Sequence, residues 1–488
     1  MNRLRTFFSL FCLILISFEI QAQGYEIKVK ISNLPSKQVI LGHYLSKTMY
    51  PDDTVKLDQK GYGVLTGKKK LPEGMYLVYL PGGSYFDLVV GNDQQFSLES
   101  DTADFLHTLS FKGSDENQIF LDFQHYFASL RNKADSLTIR IKAETDNVIK
   151  DELSSSLKKI NDLRITKIQQ IQKEHPDLFI SAFLRATLDV NVPDPPKDKN
   201  GVVIDSNWQY YYYRAHYFDN FDFTDPRLLR TPFYEDKIMT YLNKVLPQIP
   251  DTLIPAVDYF IDKSRSDSGL FRFMLITLFN NYGKSNIMGM DAVQVHIADK
   301  YYIKDSWWSD AKFIADLKER TEKAKPLLIG AVAPDAELMS VPPDHFKSAI
   351  ADTALRRYPH VGSKINLRQV QAKYLVLIFW EADCGHCKVA VPELYKIYEN
   401  SLKNMDVKVL AISTLFGEEG KMKWVDFVNQ HQLYDWINAW NPYSYDFKMK
   451  YDVLTTPQIY ILDENKKILA KRISPDQVEE IIKSLIKS

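Results

Sequence analysis

Between Tyr25 and Leu98 apolar residues recur in short bursts at every second position. Tyr25, Ile27, Val29 and Ile31 alternate with polar neighbours, the period of a half-buried strand. Further runs at Val39–Leu45, Thr54–Leu57, Met75–Leu80, Tyr85–Val90 and Phe96–Leu98 are punctuated by Pro35, Gly61/Gly63, Pro72/Gly74, Gly82/Gly83 and Gly91/Asn92. Turn residues at that spacing predict an all-β sandwich or small barrel over residues 24–112. From about Glu116 the period lengthens. Leu153, Leu157, Ile160 and Leu163 step by three and four, and Ile168 and Ile171 return to the same face, which predicts an amphipathic helix within 137–172. Pro193, Pro195, Pro196 and Gly201 mark a break, and further helices are expected over 234–323, giving a central α-helical domain at 116–325. The aromatic stretch Trp208–Tyr213 with Tyr217, Phe218, Phe221 and Phe223 reads as loop-on-helix packing, with a peptide-binding surface as the alternative.

A third texture begins near Gly330. Lys373–Trp380 contains a nearly continuous apolar run, as expected of a strand buried on both faces. Val407–Ser413 and Gln458–Leu462 are similar runs, and Lys388–Asn400 and Lys421–Gln432 read as helices between them. Ser474-Pro475-Asp476-Gln477 is a capping box with proline at the first helical position, and Val478, Ile481, Ile482, Leu485 and Ile486 continue along one face. Strands alternating with helices predict an α/β domain at 330–488, and so a multidomain chain.

Composition and charge narrow the function. Lys and Arg number 61 against 62 Asp and Glu, a balance that argues against nucleic acid as partner. Beyond the N-terminus no apolar run is long enough to span a bilayer. At the N-terminus Arg3 and Arg5 precede the apolar run Phe7–Phe18, and Ala22 follows, the order of a secretory signal peptide over 1–22. Its removal takes away Cys12 and leaves Cys384 and Cys387. One close cysteine pair in a protein sent to an oxidising compartment is the most informative feature of the sequence.

Cys384-Gly385-His386-Cys387 follows the buried strand and opens a helix. The unsatisfied N–H groups and partial positive charge of a helix start stabilise a thiolate at Cys384 and lower its pKa. Cys387, three residues on, lies on the same face and can attack a mixed disulfide formed at Cys384. Gly385 and His386 between them tune the pair, His386 favouring the thiolate. A structural disulfide closing so short a loop gains about 2 kcal/mol, at the low end of the range. A zinc site needs further ligands, whereas His360 and His431 are isolated. No metal or organic cofactor is expected; the redox group is the Cys384–Cys387 pair itself.

Phe379-Trp380-Glu381-Ala382-Asp383-Cys384-Gly385-His386-Cys387 with Pro392 resembles the active-site strand and helix of thioredoxins, and Thr455-Thr456-Pro457 is similar to their cis-proline loop. Three motifs in family order identify residues 330–488 with the exported TlpA/ResA-like branch. The preceding segments resemble the β-sandwich and helical domains of Bacteroidetes envelope proteins. The resemblance implies a C-terminal thioredoxin fold, Cys384 as nucleophile, Cys387 as resolving cysteine and Trp380 as the aromatic beside the site. It also implies that Thr456 and a cis Pro457 bind extended substrate, and that Pro392 kinks the active-site helix. The family's buried acid is Ile378 here, so proton transfer falls to Glu381, Asp383, Glu418 or Glu419, with Glu418 and Glu419 nearest to where the exported branch carries its acid. Gly-His, as in protein disulfide isomerases, leaves the direction of electron flow open. The resulting expectation is a thiol–disulfide oxidoreductase of the periplasm or cell envelope, acting on cysteine-containing proteins with a separate redox partner. The alternative is a non-catalytic envelope binding protein that uses the module as an adaptor.

Overall fold

A computed structural model describes residues 24–34, 36–349 and 362–487; residues 1–22, expected as a signal peptide, Pro35 and His360 lie outside them. The described residues divide between two compact units, Met1–Val245 and Leu246–Ser488. That boundary falls inside the stretch 116–325, so its helices are shared between the units.

The first unit opens with eight strands: β1 (Tyr25–Ser32), β2 (Gln38–Leu45), β3 (Thr48–Lys56), β4 (Tyr62–Gly67), β5 (Gly74–Tyr79), β6 (Tyr85–Val90), β7 (Gln95–Asp101) and β8 (Ser110–Lys112). They form two four-stranded sheets, β4-β1-β7-β8 and β3-β2-β5-β6. Ile27, Val29 and Ile31 of β1 point inward, fully buried with Val39, Leu41, Tyr76 and Leu88 in one core. Each such aliphatic side chain contributes about 1.5–3 kcal/mol by leaving water. The sandwich expected from the alternation is therefore present, with one addition. Gly61/Gly63 was expected as a turn, yet Gly63 lies inside β4, because a Cβ there would meet Val55 and Leu57 side chains at 2.9 and 3.0 Å. The glycine is there for close packing.

Helices α1 (Asp115–Ala143) and α2 (Asn147–Glu174) follow, then α3 (Phe179–Ala186) and α4 (Trp208–His216). The 137–172 pattern crosses a break at 144–146, where the Asp146 carboxylate accepts from the Val148 and Ile149 N–H groups and starts a new helix. Leu153, Ile168 and Ile171 are buried, but Leu163 is 49% exposed. At about 100° per residue it falls roughly 80° from Leu153 and Ile171 and further still from Ile168. In the aromatic stretch Tyr217, Phe221 and Phe223 are buried, whereas Tyr210 and Tyr211 are exposed.

The second unit begins with α5 (Pro250–Lys263), α6 (Ser268–Gly283), α7 (Asp291–Ile297) and α8 (Ala311–Ala324). Its sheet comprises β9 (Glu337–Ser340), β10 (Ser363–Asn366), β11 (Tyr374–Trp380), β12 (Val407–Ser413), β13 (Ile437–Trp440), β14 (Gln458–Asp463) and β15 (Ile468–Lys471) in the order β10-β9-β13-β12-β11-β14-β15. Helices α9 (Cys387–Asn400), α10 (Gly417–His431), α11 (Asp446–Lys450) and α12 (Pro475–Lys487) complete it. β11 pairs in parallel with β12 and antiparallel with β14. All seven of its residues are buried, because alternate side chains feed two cores. Val376, Ile378 and Trp380 pack on one face, and Leu375, Leu377 and Phe379 on the other. This doubly covered central strand aims its C-terminal end at the cysteine turn. No helix of the described residues is long and apolar enough to cross a membrane.

Candidate active site

β11 ends at Trp380, and Glu381–His386 form the turn into α9. The Cys384 N–H donates to the Glu381 carbonyl at 3.3 Å, and the Cys384 carbonyl accepts from the Lys388 N–H at 3.1 Å. Helical structure begins at Cys387, so Cys384 stands just ahead of the first turn, where N–H groups lack intrahelical partners.

Both cysteines are free thiols, in unequal surroundings. Cys384 is partly exposed and its Sγ lies 3.4 Å from the Thr456 carbonyl oxygen. Partial burial works against its ionisation, but hydrogen bonds from the Cys387 N–H, the Thr456 side chain, the Cys387 thiol and the His386 N–H outweigh it. The net pKa lies below that of an ordinary thiol. Cys387 is wholly buried, and desolvation pushes its thiol up to about 12, although the Glu381 N–H reaches its sulfur at 3.5 Å. One thiol is primed for attack and the other is kept protonated.

The remaining expected residues surround this pair at different distances. Trp380 is fully buried and packs on Phe427 with ring centres 4.9 Å apart, supporting the site from below. His386 is exposed, and what it supplies to Cys384 is its backbone N–H. A Cβ on Gly385 would meet nothing within 4 Å, so the turn does not require glycine there. The Thr456–Pro457 bond is cis, and the Thr456 carbonyl lies against Cys384. A groove of about 950 Å³ runs beside the pair, bounded by Gly385, His386, Val389, Leu454, Thr456 and Pro457. Val389 and Leu454 are 69% and 85% exposed, giving it an apolar rim.

The four acids separate. Glu418 and Glu419 are exposed in the first turn of α10, Glu419 pairing with Lys423 at 2.8 Å. Asp383 pairs with the same lysine at 3.1 Å. Glu381 is half-buried and fixed: Thr414 Oγ1 donates to its Oε1 at 2.5 Å and Lys448 Nζ lies 3.4 Å away. Sequence reasoning missed Thr414, Lys448 and the groove residues Asp452 and Arg472. Nothing local to those positions announces them, since each meets the site only through the fold. Among the described residues no group of acidic, histidine or cysteine side chains is arranged to hold a metal.

Comparison with known proteins agrees with this geometry. Residues 329–471 match the model of the AhpC/TSA family. Residues 25–120 and 200–325 match two domains of unknown function, DUF4369 and DUF5106. No curated protein matches the chain. Among solved structures it is similar to a thioredoxin-like protein from Bacteroides caccae, at 20% identity over 61% of this chain and 99% of that one, with a TM-score of 0.42. It is similar also to a domain of a possible thiol-disulfide isomerase from Cytophaga hutchinsonii, at 29% identity over 33% and 95%, with a TM-score of 0.27. A thiol-disulfide oxidoreductase from Bacteroides fragilis shares 24% identity over 32% and 98%, with a TM-score of 0.25. Such low scores add no weight to the fold, which rests on the sheet, the turn and the family match. Residues 329–471 of this chain form a thioredoxin-like α/β domain and match the AhpC/TSA family.

Proposed function

We propose that the protein is an exported thiol–disulfide oxidoreductase of the cell envelope, exchanging disulfides with cysteine-containing proteins through Cys384 and Cys387 and needing no metal or organic cofactor. The observation that carries this reading is the asymmetry of the two thiols. A half-exposed sulfur with a lowered pKa faces the cis-proline loop, and a buried sulfur with a raised one lies behind it.

The Cys384 thiolate attacks one sulfur of a substrate disulfide. An S–S bond forms to Cys384, the substrate S–S bond breaks, and one substrate thiolate leaves. Cys387 then loses its proton and attacks Cys384 Sγ. The mixed disulfide breaks, the Cys384–Cys387 disulfide forms and the second substrate thiolate departs. Two electrons pass to the substrate, whose thiolates take up protons, and a dithiol partner restores the pair. The reverse sequence oxidises a substrate dithiol. Glu381 takes the proton from Cys387 in this scheme, because its own N–H touches that sulfur while Thr414 and Lys448 hold its carboxylate beside the turn. Glu418 and Glu419, on the exposed start of α10, lack that attachment.

Insulin reduction by the full chain and by Cys384→Ser tests the assignment; an unchanged rate in the variant rejects it. Redox titration against glutathione sets the direction. A potential near roughly −270 mV marks a reductant and one near roughly −180 mV an isomerase.

A further inference from the structure

A second cavity of about 240 Å³ adjoins the groove within the same unit. Asp452 and Arg472 line both spaces, and the rest of the smaller one comes largely from α6, α7 and α8. The two shared residues form an ion pair at 3.8 Å, and both have left-handed backbones, with φ of 48° and 54°. The helical segment therefore reaches the redox groove through this pair. At this volume, below the roughly 300–1,000 Å³ of small-molecule sites, the cavity suits a side chain of a bound polypeptide.

Its charges are unequally answered. Asp291 is paired with the buried Lys471. Lys323 bonds Glu319 at 2.6 Å, with Asp452 also acting on its charge. Asp452 faces Arg472. Arg320 forms no ion pair among the described residues; its Nε donates to the Asp316 carbonyl at 3.3 Å, leaving the end of the guanidinium fork for a partner. Leu317 and Phe279 supply an apolar wall that lowers the local polarity.

We propose that this cavity is a carboxylate subsite, in which Arg320, flanked by Lys323 and Arg472, binds an acidic side chain of the substrate polypeptide seated at Cys384. A planar guanidinium matches a carboxylate with two parallel hydrogen bonds, which a neutral or basic side chain cannot make. The helical segment thereby selects substrates that the thioredoxin-like domain alone would not distinguish. The inference rests on the redox reading for its substrate, but it concerns binding and is tested by binding.

Peptides with serine in place of the reactive cysteine, and one glutamate, glutamine or lysine placed one to six residues to either side, are titrated into the full chain by fluorescence anisotropy. At one placement glutamate should bind about fivefold more tightly than glutamine, the scale of one partly exposed ion pair, and lysine more weakly than both. In Arg320→Gln, and to a smaller degree in Lys323→Gln, the glutamate preference should vanish while glutamine-peptide affinity stays as it was. Equal affinities at every placement, or a preference surviving in both variants, overturns the subsite. A glutamate preference in a protein that cannot reduce insulin would leave the subsite standing and remove the redox reading alone.

Discussion

Two sulfurs three residues apart differ because their partners differ. Cys384 receives N–H groups from the helix start, whereas Cys387 is desolvated among Trp380, Val391 and Leu394. At pH 8 a thiol with a pKa near 12 is ionised in about one molecule in ten thousand. Brief iodoacetamide treatment of the reduced protein, read by peptide mass, should therefore label Cys384 and spare Cys387. Labelling of Cys387 at an equal rate would refute the asymmetry. Glu381→Gln should slow release of the mixed disulfide by roughly a hundredfold, the low end of general-base effects, while formation of the mixed disulfide at Cys384 keeps its rate. An unchanged release rate excludes Glu381 as the proton acceptor. The cysteines, Trp380 and Pro457 were readable because they lie in short motifs. Glu381 was readable as one of four acids, but what singles it out, Thr414 and Lys448, lies 33 and 67 residues away along the chain. Contacts closed by the fold leave no local mark.

At the scale of elements, long and strongly patterned segments were legible. β11 and β12 fall where continuous apolar runs placed them, since a strand covered on both faces must be apolar throughout. The short strands β9, β10, β13 and β15 have four residues each, too few to show a period, and were not foreseen. α10 starts at Gly417, four residues before the reading at Lys421, and so carries that lysine inward. Lys421 is fully buried, its ammonium 5.8 Å from the Trp440 ring centre, and desolvation lowers its pKa to about 8. Between pH 8 and about 10.4 the unfolded chain holds a proton there that the folded chain has lost, so the destabilisation caused by the buried ammonium, constant below pH 8, is relieved as pH rises across that window. Lys421→Met should abolish that alkaline gain. Urea unfolding of both proteins at pH 7 and 10 measures it: the parent should gain stability relative to the variant between the two. A difference between the two proteins that stays the same at pH 7 and 10 would refute the lowered pKa.

For the whole molecule, the family match begins at 329, yet the compact unit begins at Leu246. Lys471, on the outer strand β15, explains why the earlier boundary matters. Its ammonium is nearly buried, and burial lowers its pKa even though it is bonded to Asp291 of α7 and to the Leu327 carbonyl at 2.6 Å. Both partners precede residue 330. A chain of 330–488 keeps the sheet, the cysteine turn and the cis-proline loop, and also the bonds from Gly330 and Ile468 across the start of the domain. It strips Lys471 of both acceptors. Removing one partner of a buried ion pair costs about 3–5 kcal/mol where the remaining charge stays desolvated; the cut at 330 also uncovers Lys471, so the loss here is smaller. Residues 246–488 should therefore unfold in one cooperative transition and retain Cys384. Residues 330–488 should be less stable by up to that amount at neutral pH, and Lys471→Met should recover part of the loss in the short chain. Thermal denaturation of the two fragments and of the short-chain variant decides the point. Equal melting temperatures for the two fragments would mean that the helices contribute nothing to the stability of the redox domain.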